Sequence, residues 1–157
     1  MNKKILFALS VVVVAIVAVG TVSAFDFSDL TSSLFGTPQD QTVTIDGLNF
    51  TIPGTFKENE SMSDNGNVND YYIFTVSDYE KGYSNGTSFI NIYITDYNTT
   101  ELGDELVNIL NGTSKDISGV KGFMYSDEYG YTYTYAKDNK VIAIQSDNED
   151  LIAPVIA

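Results

Sequence analysis

The sequence predicts an α+β fold. It should be a mostly antiparallel sheet of about six or seven strands with a central helix and a short C-terminal helix, preceded by an N-terminal signal or anchor helix. Three observations carry this. Several short runs alternate apolar and polar residues with a period of two and are separated by turn residues. One stretch, from Asn98 to Gly112, spaces its apolar residues for a helix. The extreme N-terminus has the layout of an export signal.

Met1-Asn2-Lys3-Lys4 opens the chain with positive charge, and an uncharged apolar run follows from Ile5 to Gly20. Val22-Ser23-Ala24 then places small or aliphatic residues before Phe25, a cleavage pattern that puts the cut between Ala24 and Phe25. The 20 uncharged residues from Ile5 to Ala24 could also span a bilayer as an uncleaved anchor. Lysines before the run and Asp26 and Asp29 after it would leave the rest of the chain outside. Both readings expect an extracellular or cell-surface location, with the membrane touched only through this segment if it stays uncleaved.

Residues 25–41 read as a post-signal segment and linker. Phe27, Leu30 and Leu34 suggest a helical turn or two, and Pro38 stops it. A single domain over residues 42–157 is then expected. Thr42–Ile45 and Leu48–Ile52 alternate around Asp46-Gly47, whose two residues suit the positive φ angles of a tight hairpin. Glu58–Asp70 reads as a polar loop and Tyr71–Ser77 as a strand. Asp78–Thr87 reads as a connection and Ser88–Thr95 as a strand covered on both faces. The central helix is expected from Asn98, with Glu101 completing a capping box and Leu102, Leu106, Ile109 and Leu110 forming one stripe. Val120–Tyr125, Gly130–Ala136 and Val141–Gln145 read as strands. Ser146-Asp147-Asn148-Glu149 caps a terminal helix that Pro154 keeps short.

Composition excludes several chemistries. The 133 residues after Ala24 hold all 21 acids and six of the eight lysines, a formal charge of −15. Such a surface repels phosphate backbones, so no nucleic-acid partner is expected. There is no Cys, His, Arg or Trp. Disulfides, a Ser-His-Asp triad, a thiol nucleophile and an ordinary zinc site are all ruled out. No catalytic, cofactor or metal residues are assigned. The expected function is a non-enzymatic binding or structural module facing an extracellular or envelope partner. The alternative is a secreted, carboxylate-dependent glycan hydrolase.

Leu48-Asn49-Phe50-Thr51-Ile52-Pro53-Gly54-Thr55-Phe56, with the helix and strands read after it, resembles the Mog1/PsbP/DcrB-like group of α/β/α sandwiches. The resemblance implies a sandwich over residues 42–156 and no particular activity, because that group serves unrelated binding and accessory roles. The whole chain also resembles small, acidic, secreted archaeal proteins of unknown function, which share the signal, the post-signal apolar segment and this hairpin.

Four features are candidate sites. N-x-[ST] triplets at Asn49, Asn59, Asn85, Asn98 and Asn111 are candidate glycan acceptors, where composition alone supplies about two or three. Asp64-Asn65-Gly66-Asn67-Val68-Asn69-Asp70 is rich in oxygen ligands but misses the calcium-loop spacing, so a solvated loop is expected. Tyr129, Tyr131, Tyr133 and Tyr135 share one strand face, either as an aromatic binding platform or as packing beneath a helix, with packing favoured. Asp127-Glu128 and Glu101, Asp104 and Glu105 are acid groups expected to face solvent. The cleavage reading has a direct check: N-terminal sequencing of native protein should begin at Phe25, and recovery of Met1 in membrane fractions would instead establish the anchor.

Overall fold

Ile90, Ile92 and Ile94 occupy every second position of one strand, and their neighbours across both adjoining strands decide where the core lies. In the computed structural model, residues 36–71, 74–97 and 112–156 are described, with backbone alone at 65, 70, 71 and 74. The strands are β1 (Gln41–Ile45), β2 (Leu48–Ile52), β3 (Lys57–Glu58), β4 (Asp64–Tyr71), β5 (Phe74–Ser84) and β6 (Phe89–Tyr97). After them come β7 (Thr113–Ile117), β8 (Val120–Asp127), β9 (Gly130–Lys137) and β10 (Lys140–Ser146). Single 3-10 turns span Glu60–Met62 and Glu149–Leu151, and the second runs into α1 (Ile152–Val155).

Eight strands form one antiparallel sheet in the order β3-β5-β6-β10-β9-β8-β7, with β4 pairing β5 on the same side as β3. β10, last in sequence, sits between β6 and β9. Its register sets Ile142 opposite Ile94 and Tyr135, and Ile144 opposite Ile92 and Tyr133. All six are buried. Because side chains alternate in direction along a strand, pairing in this register gathers them on one face.

The β1–β2 hairpin is a separate two-stranded sheet. Its Ile45, Leu48, Phe50 and Ile52 join that core, as do Ile152, Val155 and Ile156 at the chain's end. Phe50 bridges to Ile156, so hairpin and α1 cover the face together. Asp46 and Gly47 turn the hairpin at φ angles of 46° and 77°, the left-handed region their short side chains tolerate.

One ion-pair network ties this cover to the sheet. Lys140 Nζ lies 2.6 Å from Asp46 Oδ2 in the hairpin turn and also contacts Asp96 Oδ2, its cross-strand partner on β6. The Lys140 side chain is only 14% exposed. Burial alone would lower its pKa, but hydrogen bonds and charges from Asp46 and Asp96 outweigh that and raise it.

Tyr133 has zero exposure, yet its hydroxyl lies 2.6 Å from the Val120 carbonyl and 3.1 Å from that of Lys115. Gly122 makes room for this ring: a Cβ there would stand 2.7 Å from Tyr133 Cζ and 2.5 Å from the Thr134 carbonyl oxygen.

These observations correct the α+β expectation. The described residues are mostly antiparallel strand, and their helical residues are confined to short turns and α1, with no central helix among them. The helix expected from Asn98 to Gly112 falls almost entirely on residues outside the described ones, as do the expected signal and the apolar residues Phe27, Leu30 and Leu34 after it. Among the described residues no helix is long and apolar enough to cross a membrane. The expected loop Glu58–Asp70 is instead a 3-10 turn and strand β4, and the expected connection after Asp78 continues β5 to Ser84. β7 was not expected at all. The reason is shared. β4 and β7 are edge strands whose described side chains are largely exposed, so backbone pairing holds them without an apolar pattern to announce it.

The compact unit spans Pro38–Ala157. Asp40 Oδ1 accepts from the Gly54 amide at 3.1 Å, and Gln41 Nε2 donates to the Phe56 carbonyl at 3.0 Å. Gly54 is required there, since a Cβ would come within 2.3 Å of the Gln39 carbonyl oxygen.

The buried titratable groups give a pH prediction. Burial pushes the phenols of Tyr83 and Tyr135 up to about 12, and Lys140 is raised as well. A raised folded-state pKa contributes stability below the unfolded value that is lost as pH climbs toward the folded value. Thermal stability should therefore fall progressively from about pH 10 upward. Tyr83→Phe should flatten that fall in melts taken across the alkaline range.

Candidate functional site

The sheet face opposite the isoleucines carries the polar chemistry. β5 presents Asp78 and Glu80 there, and β6 presents Tyr93 and Thr95 as their direct cross-strand partners. β4 adds Asp64 opposite Glu80 and Asn67 opposite Asp78. Two rows result, Asp64-Glu80-Tyr93 and Asn67-Asp78-Thr95. They line a cavity of about 220 Å³, completed by Tyr79 and Ile94.

Asp64 and Asn67 are three residues apart, an odd spacing that would send them to opposite faces of a regular strand. The register of β4 shifts between Asn65 and Asn67, where Gly66 is the extra residue at φ 72°. This bulge restores both side chains to one face. Gly66 also has little space, since a Cβ there would lie 3.0 Å from the Tyr79 ring.

The cavity side chains are held by one another. Asn67 Nδ2 donates to Asp64 Oδ2. Thr95 Oγ1 donates to Asp78 Oδ1 at 2.8 Å, and Asn69 Nδ2 donates to Asp78 Oδ2 at 3.0 Å. Tyr93 is half-buried; burial first, then the charge and hydrogen bond of Glu80, raise its phenol pKa. Its hydroxyl also accepts from Asn91 Nδ2 at 3.3 Å. Asn91 is buried at 5% exposure, and its Oδ1 has no hydrogen-bond partner among the described residues.

Asn67 and Thr95 thus each point a donor at a neighbouring carboxylate, and the lining is rich in acceptor oxygens. The lining contains no lysine. Asp64, Asp78 and Glu80 do not converge as metal ligands: no group of three such residues among the described ones could hold an ion.

The residues singled out from sequence lie mostly elsewhere. Tyr133 and Tyr135 are buried in the core, their ring centroids 5.9 Å apart, and Tyr131 packs against that core. Tyr129 is 68% exposed in the β8–β9 turn. The four do not form one open platform. Asp127 and Glu128 are exposed, and Asp127 Oδ1 accepts from the Tyr129 amide at 2.8 Å. Asn49 is exposed on β2, Asn59 caps the first 3-10 turn and Asn85 is exposed between β5 and β6. Asn98, Asn111, Glu101, Asp104 and Glu105 lie outside the described residues.

Sequence reasoning did not assemble Asp78, Glu80, Tyr93 and Thr95. Their period-two spacing was visible, but only the β5–β6 register sets the two pairs side by side. The chain matches no family model, no curated protein and no solved structure.

The bulge can be tested against a second positive-φ glycine. Gly66 and Gly86 both have positive φ, but a Cβ at Gly86 meets nothing. Gly86→Ala should cost about 1–2 kcal/mol for left-handed backbone strain. Gly66→Ala should cost more in urea melts, because the Tyr79 ring must also move.

Proposed function

We propose that this chain is a non-enzymatic binding module working outside the cytoplasm, at or near the cell surface, and that the β4–β5–β6 cavity receives a neutral carbohydrate. The carrying observation is the hydrogen-bond balance of the cavity. Asn67 and Thr95 direct donors at carboxylates of the same cavity, and the charge of Glu80 acts on the Tyr93 hydroxyl. A fitting occupant must therefore donate several hydrogen bonds, as sugar hydroxyls do. The half-buried Tyr93 ring adds apolar surface for the carbon face of such a ligand. Asp64 and Asn67 are exposed, so the site opens to solvent.

The alternative, a carboxylate-dependent glycan hydrolase, fits this arrangement less well. A glycosidase sets two carboxyls on opposite sides of the scissile bond. Asp64, Asp78 and Glu80 stand side by side on one sheet face, and the cavity lining among the described residues places no carboxyl across from them. The export part of the proposal is supported by Lys3-Lys4, the apolar run and Val22-Ser23-Ala24.

Titration calorimetry of the full chain against a panel of neutral oligosaccharides tests both halves. Binding should appear without cleavage. Hydrogen bonds to a charged acceptor contribute about 1.5–3 kcal/mol. Asp78→Asn should then weaken binding roughly tenfold to a hundredfold. Released reducing ends would establish the hydrolase, and no binding across the panel would overturn the cavity assignment.

A further inference from the structure

Of the three described N-x-[ST] asparagines, one is presented differently from the others. Asn85-Gly86-Thr87-Ser88 makes the turn between β5 and β6, and residues 85–87 are all exposed. The Asn85 amide donates to the Ser88 carbonyl at 3.2 Å, which closes the turn. Gly86 sits at φ 91°, and a Cβ there would meet no atom of the described residues within 4 Å.

The Asn85 carboxamide is anchored through its oxygen alone. Oδ1 accepts from the Thr87 amide at 3.0 Å, the Thr87 hydroxyl at 2.9 Å and the Ser88 amide at 2.8 Å. No hydrogen bond among the described residues uses Nδ2. Asparagine side chains commonly close turns in this way. Here the same geometry leaves the nitrogen as the free end of a fixed carboxamide. It also brings the Thr87 hydroxyl beside that carboxamide, so both groups of the triplet meet an approaching enzyme on one surface.

The other two sites are less accessible. Asn49 is exposed, but it lies within the β1–β2 ladder, and its Oδ1 accepts from Thr44 Oγ1 across the hairpin at 2.8 Å. Phe50 beside it is 1% exposed and Thr51 is half-buried. Asn59 shares the Asn85 pattern, with Oδ1 accepting from the Ser61 amide and hydroxyl at 3.2 and 2.7 Å. It is half-buried, however, and its own amide is tied to the Gly82 carbonyl at 2.8 Å.

We infer that Asn85 is an N-glycan acceptor, the triplet of the folded domain best placed to be modified. The donor is a lipid-phosphate-linked oligosaccharide. A bond forms between Asn85 Nδ2 and the anomeric carbon of the first sugar. The bond from that carbon to the phosphate oxygen breaks, Nδ2 loses one proton, and the lipid phosphate leaves. A glycan at this turn needs no rearrangement of β5 or β6, because the apex faces solvent. The inference rests on the exported location proposed above, since the transfer occurs on the far side of the membrane.

Glycopeptide mass spectrometry of full-length protein from the cells that make it decides the matter, with the fraction of origin recorded for each sample. The expected result is a saccharide on the Asn85 peptide of the external protein. It should be absent in Thr87→Ala and retained in Thr87→Ser, with both variants compared to the parent in thermal melts. A bare Asn85 on external protein overturns the inference and leaves export standing. A chain found only in the cytoplasm overturns both. A glycan confined to Asn49 or Asn59 overturns the choice of site. The parent protein's own spectrum decides the question even if Thr87→Ala fails to fold.

Discussion

The register of β10 between β6 and β9 is the constraint on which the rest of the molecule depends. It sets Ile142 and Ile144 between Ile92 and Ile94 on one side and Tyr133 and Tyr135 on the other. Burying each such side chain contributes about 1.5–3 kcal/mol. A slip of β10 by one residue would turn Ile142 and Ile144 to the opposite face and bring Val141, Ala143 and Gln145 into the core instead. The penalty for that slip is the sum of several buried side chains, so the register has no close competitor. Once it is set, the hairpin and α1 have a defined apolar surface to cover, and the opposite face has defined polar rows.

The cover is then fixed in place by charge. Lys140 opens β10 and reaches two carboxylates, one within the sheet and one on the hairpin turn. Three partly buried charges are costly to desolvate, and such groups are not strong evidence of stability by themselves. Their value lies in orientation. Asp46 is held at one place only if the hairpin sits in one position, which the non-directional packing of Leu48, Phe50 and Ile52 does not dictate alone. The Asp46-Gly47 turn thus serves twice, as the bend of the hairpin and as its point of attachment.

The opposite face shows how few residues make a site out of a polar edge. β4 has little apolar content and is held chiefly by its ladder to β5. Without the Gly66 bulge, Asp64 and Asn67 would face opposite ways, and the cavity would lose either its acid or its amide on that side. Tyr79 links the two faces. Its ring abuts Gly66, while burial and then the charge and hydrogen bond of Asp46 raise its phenol pKa. The bulge that shapes the cavity is therefore packed against a side chain that contacts the hairpin latch.

The sequence by itself determined what depends on near neighbours in the chain. The Asp46-Gly47 hairpin and the alternating runs of β6, β9 and β10 are local signals that stand where they were read, while the cap expected at Ser146 falls two residues later, on Asn148, before a 3-10 turn. The absent side-chain types excluded whole classes of chemistry without any structure. What only the tertiary structure decided was pairing. β4 and β7 exist because an edge strand needs a partner more than an apolar pattern. The site was illegible for the same reason. Asp64, Asn67, Asp78, Glu80, Tyr93 and Thr95 are spread over 32 residues and become neighbours only through two strand registers and one bulge. Local physics writes turns and periodicities into a sequence, but which strands lie side by side is settled by the whole core at once.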